Sequence, residues 1–468
     1  MPHIIRKQVI ELKMDKNLDY FHIQELISRQ YWKSVLPALQ KEFDVLGEDD
    51  EVIEVDRLVI DLGIMTEKDI KLEEWAREVP ARLAKILERL RIPGIPGIPA
   101  TRKPGHLNVF RQWIFYMQNG YLHWSTLETG ILWYRRVLEA LALEIESVWE
   151  LRELMLKDPV VIRRIVLQHP DSFLISLVET ITARRHGLLR TVMEGFDLPA
   201  ETGTGLRIPK TKPAGMRFRN MIWARILGII AGNPMASDEQ IRSVTGTIIH
   251  AGNSAPGDLP ETAGGISAMH GLPEAIEKIF GKQSEKQIYA TIIPGIRSQV
   301  DEEGIYVRCA GVVLLHPFLN SLFKRLHLLT GKSFTNRAAQ QKALYLIHYL
   351  ATGNVRAEEH ELVIARVLCA CPLQEPVEPG IRLSKKALGE AEDLLVASIQ
   401  QWTILKHTSP DGLREGFLRR NGKLFTRHDN LYLQVETGTI DILLDHLPWN
   451  LSMIKLPWMD DILRVEWR

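Results

Sequence analysis

Chemistry in this chain would have to begin where nucleophilic and titratable side chains crowd together, and the densest such stretch is LKHTSPDGLREGFLRRNGKL, Leu405–Leu424. His407, Ser409 and Asp411, with His446 further on, are the residue types of a Ser-His-Asp hydrolase. The G-x-S-x-G elbow that would expose the serine is missing, and a serine directly before proline reads more simply as a helix cap. His316, His348 and His360 stand singly in apolar runs, and His360-Glu361 fails the H-E-x-x-H spacing because Ile364 occupies the second histidine position. Cys369 and Cys371 lie two apart near an expected helix end, so their side chains diverge and do not readily share a metal. Thr330–Ser333, TGKS, resembles the tail of a P-loop, yet Leu326 stands where its first glycine belongs; Gly203 and Gly205 lack the third glycine of a dinucleotide fingerprint, at Ile208. Asp56 and Asp61 fall on opposite faces of a strand. No catalytic residue, cofactor or metal site is expected.

The same C-terminal residues make better sense as structure. Ser409-Pro410-Asp411 predicts a helix start: the hydroxyl accepts from a free N–H, proline fits the first turn, and aspartate suits the positive end of the dipole. Leu413 and Phe417 then share a face, and Gly412 and Gly416 leave a Cβ-free strip for another backbone. Two glycines in so short a helix cost about 2 kcal/mol relative to alanine, so packing must stabilise it. Asn421-Gly422 predicts its end or a turn. Leu431, Leu433 and Val435 alternate with polar neighbours as in a half-buried strand. The apolar runs Ile440–Leu444, Ser452–Leu456 and Ile462–Trp467 extend this to a small antiparallel meander. Leu447-Pro448-Trp449 recurs as Leu456-Pro457-Trp458, two corners with a tryptophan packed beneath. Gly412, Gly416, Trp449 and Trp458 are the positions expected to meet a partner, the alternative being a cap that only completes the core.

Upstream, His3–Met14 reads as a strand, Ile23–Leu46 as helix, Glu51–Gly63 as a second strand and Leu72–Leu90 as an amphipathic helix, a β-α-β-α unit over residues 1–90. Arg91–Gly105, RIPGIPGIPATRKPG, excludes helix and central strand and reads as a linker. A helical middle follows over 106–304, with segments near Leu107–Asn119, Ile131–Leu156, Val160–Leu167, Asp171–Arg185, Met216–Ala231 and Ser237–His250, and a long loop over Ala251–Gly271. The apolar runs from Arg308, with a longer helix over Ser384–Leu405, make residues 305–468 a helical core joined to the small sheet. The fold class expected is α+β, predominantly α-helical.

Among the 468 residues, 58 basic side chains balance 58 acidic ones, so net charge gives no support to nucleic-acid binding; the basic bias from Arg184 to Arg225 reads as a solvated surface. Three cysteines are too few for a disulfide framework and point to a reducing compartment. The N-terminal MPHIIRKQVIEL has no apolar signal region and no run is long enough to span a bilayer, so cytoplasmic synthesis without membrane insertion is expected.

Taken together and in order, HIIRKQVIEL, VDRLVIDLG, AGVVLLHPFL, YLATG, TSPDGLREGFL and LPWNLSMIKLPWM resemble the contractile injection system tape-measure protein family. These motifs cover about half the chain, and the centre, Leu107–Gly304, aligns with nothing familiar. The resemblance implies a structural, non-enzymatic protein of a phage-tail-like particle that governs inner-tube assembly or length. Its implied partners are the inner-tube and baseplate or hub proteins, with self-association possible, and its implied place is the cytoplasm and then the assembled particle. A tube-capping or chaperone-like factor is the neighbouring alternative, and a cargo effector enzyme the distant one. A ruler works by extension: a continuous helix of this length would reach about 700 Å, whereas a globule has a radius of gyration near ~23 Å. The Pro/Gly breaks and apolar clusters favour compact end domains.

Overall fold

The computed structural model describes residues 3–15, 18–44, 51–90, 100–127, 129–187, 189, 212–241 and 296–467. Helix predominates and the strands are short, so the class is α+β with α leading. The chain divides into two compact units, one of residues 1–112 and 125–140, the other of 113–124 and 141–468. That division differs from the sequence boundaries drawn at 91–105 and at 305. The loop expected over Ala251–Gly271 lies outside the described residues, as do 91–99 of the linker and the segment after Ile241.

In the first unit, Asp19 caps α1 (Tyr20–Gln30) by accepting from the His22 N–H, and a π turn over Tyr31–Val35 leads into α2 (Leu36–Asp44). Ile23, Ile27, Tyr31, Val35 and Leu39 bury one face of this helical run. They pack with Trp75, Ala76, Val79, Leu83 and Leu87 of α4 (Glu74–Leu90), which follows the short α3 (Glu67–Lys71). The buried Gln30 is satisfied twice, accepting from the Trp75 indole and donating to the Ile70 carbonyl at 2.9 Å.

The strands of this unit differ from expectation. Residues 3–15 join no ladder, although His3–Met14 has strand composition. The second strand forms earlier than the alternation of Leu58, Ile60 and Leu62 indicated: β1 (Glu51–Val55) pairs antiparallel with β2 (Ala100–Pro104), whose residues belong to the expected linker. Opposite charges select that pairing, with Arg102 on Glu51 at 2.7 Å and Lys103 on Glu54 at 2.5 Å. Leu58, Ile60 and Leu62 pack at the edge of the helical core as irregular chain.

Helices α5 (Gly105–Asn119) and α6 (Ile131–Leu143) come next, then α7 (Ile145–Lys157), α8 (Pro159–Gln168) and α9 (Asp171–Thr182). The single helix expected over Ile131–Leu156 is thus two, broken at Glu144, whose backbone is extended. Asp158 caps α8 through the Val160 N–H with Pro159 in the first turn, as the sequence predicts. The 21-residue α10 (Lys212–Gly232) packs on α7, α8 and α9 in the second unit.

From Val300 to Trp467 the buried side chains form one continuous core. A 3-10 helix, Ala310–Leu315, runs into α11 (His316–Arg325), and the short hairpin β4 (Leu329–Thr330) and β5 (Ser333–Phe334) precedes α12 (Arg337–Thr352), which Gly353 ends in the left-handed conformation. Then come α13 (Val363–Leu368) and α14 (Lys385–Gln401), the latter capped by Ser384. Across them lies a five-stranded sheet. With β3 as Ile305–Val307, β6 as Gly422–Arg427, β7 as Asn430–Val435, β8 as Met453–Ile454 and β9 as Leu463–Glu466, its order is β3-β6-β7-β9-β8.

Two features correct the simple meander. Strand β9 runs parallel to β7, so the sheet is mixed, and residues Thr439–His446 form a 3-10 helix where the apolar run Ile440–Leu444 suggested a strand. Gly438 and Asp441 start that helix with reciprocal hydrogen bonds, a local cap that the run's hydrophobicity does not reveal. Strand β3 at the edge is an addition.

Candidate functional site: the C-terminal cap

Ser409 accepts from the Gly412 N–H at 3.1 Å and Pro410 opens α15 (Pro410–Leu413), which widens into a π turn over Arg414–Leu418. Asp411 binds the nearly buried Arg414 at 2.8 Å. Arg414 also reaches Glu392 of α14 and donates to the Leu350 carbonyl of α12 at 3.2 Å, with its guanidinium 5.5 Å from the Tyr349 ring centre. The serine and aspartate are therefore engaged as a cap and an ion pair. His407 and His446 are exposed and hydrogen-bonded to neither.

The glycines do not form a channel for a backbone. A methyl at Gly412 would meet the Thr408 methyl at 2.9 Å, and one at Gly416 would meet Ile440 Cδ1 at 3.1 Å, so side chains fill the strip. The close backbone approach occurs elsewhere, where a Cβ on Gly311 would lie 1.8 Å from the Phe417 carbonyl oxygen. Alongside it the Ala310 N–H donates to the Arg420 carbonyl at 2.7 Å, so the AGVV run is stitched to the chain just before β6. Gly422 begins that strand rather than ending the helix as a turn, and a Cβ there would strike Ala310 Cβ at 2.6 Å.

Both Leu-Pro-Trp units are corners, and both indoles point inward. Trp449 donates to the Leu314 carbonyl at 3.0 Å and sits edge-on to Phe318; Trp458 donates to the Leu368 carbonyl at 2.7 Å among Phe323 and Phe334. Leu368 ends α13, so Trp458 satisfies a carbonyl that its helix leaves free. Pro448 and Pro457 remain exposed, and the tryptophans are half-buried.

The second unit also holds a charged centre that the sequence reading missed. Glu359 lies between Arg164 of α8, at 3.3 Å, and Arg366 of α13, at 3.0 Å, with all three side chains fully buried. Further guanidinium protons go to carbonyls, Arg164 to Met117 and Gln374 and Arg366 to Leu373 and Glu375, while the buried Arg366 Nε–H is left without a hydrogen-bond partner. Gly120, at φ +77°, passes so close that a Cβ would lie 2.4 Å from the Leu373 oxygen and 2.8 Å from Arg164. Arginines set inside apolar runs, VVIRRIV and LVIARVL, are the signal that finds this cluster.

The remaining candidates are spread through the core. His316 Nδ1 donates to the Val313 carbonyl at 3.0 Å, and burial lowers its pKa and that of His348. Burial holds His360 down to about 4 and raises Cys371 to about 12, with Cys369 raised as well. Among the described residues no cluster of three or more His, Cys, Asp or Glu side chains has the arrangement of a metal site, and no helix is long and apolar enough to cross a membrane.

No curated protein and no solved structure matches this chain. A family model, described as contractile injection system tape measure protein, matches residues 2–467 and so includes the centre that carries no familiar motif. The chain belongs to the contractile injection system tape measure protein family, and its role is structural, in particle assembly.

Proposed function

We propose that this protein controls inner-tube assembly without catalysis, and that it begins that work as folded units rather than as a continuous helical ruler. The observation that carries this reading is that α7, α8 and α9 are separate short helices, with α10 packed back on all three. A 21-residue helix spans about 32 Å at 1.5 Å per residue, so length measurement needs these helices to separate or to act by initiating assembly. Residues 305–468 serve in this reading as the end that docks on tube, baseplate or hub proteins. The half-buried edges of Trp449 and Trp458 with the exposed Pro448 and Pro457 are the surface proposed for that contact, and Gly412 and Gly416, which lie against Thr408 and Ile440, are proposed as a separate point of contact.

Synthesis in the cytoplasm followed by retention in the particle completes the proposal; a chaperone would instead be absent from finished particles. Internal deletions within Leu107–Gly304 are expected to shorten the assembled tubes in electron micrographs in proportion to the residues removed. Tubes of unchanged length and normal number would remove the ruler role.

A further inference from the structure

We infer that the strip Ile4–Met14, which bends at Arg6 and otherwise carries no helix, turn or ladder, is an intermolecular pairing edge whose occupant is the same strip of a second copy of this chain, running antiparallel and centred on Val9. None of residues 3–15 joins a ladder. Ile4, Ile5, Val9, Ile10, Leu12 and Met14 are nevertheless 37–70% exposed, an apolar density that a solitary surface segment rarely carries. The strip is held to its own unit by side chains: His3 binds Asp44 at 2.9 Å, and Gln8 accepts from the Tyr31 hydroxyl. Among the described residues no backbone–backbone hydrogen bond involves residues 7–14, so their backbone is available to a second chain.

Charge selects both the partner and the register. About a twofold axis through the paired Val9 residues, Lys7 faces Glu11 twice and no like charges oppose one another. Sliding the register by two residues one way sets Lys7 against Lys13; sliding it the other way sets Lys13 against His3 and leaves Glu11 opposite Ile5. In the chain alone Glu11 has only a loose contact with Lys13, at 3.7 Å, and both are highly exposed, so pairing gives Glu11 a partner without dismantling a buried ion pair.

The test uses the full chain in sedimentation equilibrium, with circular dichroism to verify folding. Wild type is expected to show a concentration-dependent dimer. Lys7→Glu and Glu11→Lys alone each set like charges opposite one another twice and should weaken the dimer about tenfold, and the double variant should restore it. A wild type that stays monomeric at every concentration overturns the inference, as does a dimer that ignores the single reversals or that the double variant fails to restore. A second readout does not depend on charge. Directly opposed residues on antiparallel strands lie about 4.5–5.5 Å apart between Cα atoms, within disulfide range, so Val9→Cys should give a covalent dimer on mild oxidation. Val59→Cys, also exposed but outside the strip, should stay monomeric, and equal cross-linking by the two would count against the Val9 axis.

Discussion

Strand β7 and the strip Ile4–Met14 have similar β-forming compositions and opposite fates. In β7, Leu431, Leu433 and Val435 are buried and the backbone is paired on both sides, antiparallel to β6 and parallel to β9. In the strip the apolar side chains face solvent and the backbone, bent at Arg6, joins no ladder. The difference lies in what surrounds them: β7 is fixed between two strands and over a helical core, whereas the strip joins no ladder and is fastened by side-chain contacts such as Gln8 to Tyr31, with His3 bound to Asp44 beside it. Stability in the C-terminal half is thus expected to depend on groups that the chain supplies to itself, while the strip contributes little until something pairs with it.

The sharpest way to break that contrast is at Glu359. Glu359→Gln keeps the shape but leaves Arg164 and Arg366 buried without a counter-charge, and removal of one member of a buried ion cluster costs about 3–5 kcal/mol. The urea midpoint of the second unit, followed by tryptophan fluorescence, should fall accordingly. A loss below about 1 kcal/mol would show that the cluster is not what ties α8 to α13.

Next in size is a pH effect. Burial holds His169 and His360 at about 4, below their ordinary 6.5. His169 stays neutral, accepting from the Trp113 indole at 3.0 Å and donating to the Ile165 carbonyl at 2.8 Å. As pH falls below 6.5 the unfolded chain binds protons that the folded one refuses. The stabilising contribution is therefore complete above 6.5 and is lost on descent toward 4, by about 2 kcal/mol per histidine at pH 5. Urea midpoints measured from pH 7 to pH 5 should decline, and a flat profile would contradict the burial of both rings.

Local signals in the sequence predicted much of the second unit and little of what joins its parts. Ser409-Pro410, Asp158-Pro159 and Gly353 mark helix ends because capping depends on a few adjacent residues. The alternation Leu431, Leu433, Val435 likewise reports one buried face. Periodicity does not report whether a ladder partner exists, which is why His3–Met14 reads as a strand and forms none. Nor does it separate a strand from a 3-10 helix in a run as short as Ile440–Leu444. The β6–β7 hairpin turns at His428 and Asp429 with φ +48° and +59°, a left-handed pair without the glycine that would have marked it. The cap was legible in its corners, Trp449 and Trp458, but their acceptors, Leu314 and Leu368, lie 135 and 90 residues away and only the fold brings them together.

The smallest effect tests the comparison most directly, because it applies one substitution to both segments. Val435→Thr places a hydroxyl in the core beneath the sheet, where burial of a polar group without a partner costs about 1–3 kcal/mol. Val9→Thr changes a side chain that is 70% exposed and has no ladder neighbour, so its effect on unfolding should lie within about 0.5 kcal/mol at low protein concentration. If Val9→Thr destabilised the dilute monomer as much as Val435→Thr, the strip would be part of the folded core and its backbone would not be free to receive a second copy. If it is silent when dilute but lowers the midpoint at high concentration, the loss belongs to association, since stability gained through self-pairing grows with protomer concentration.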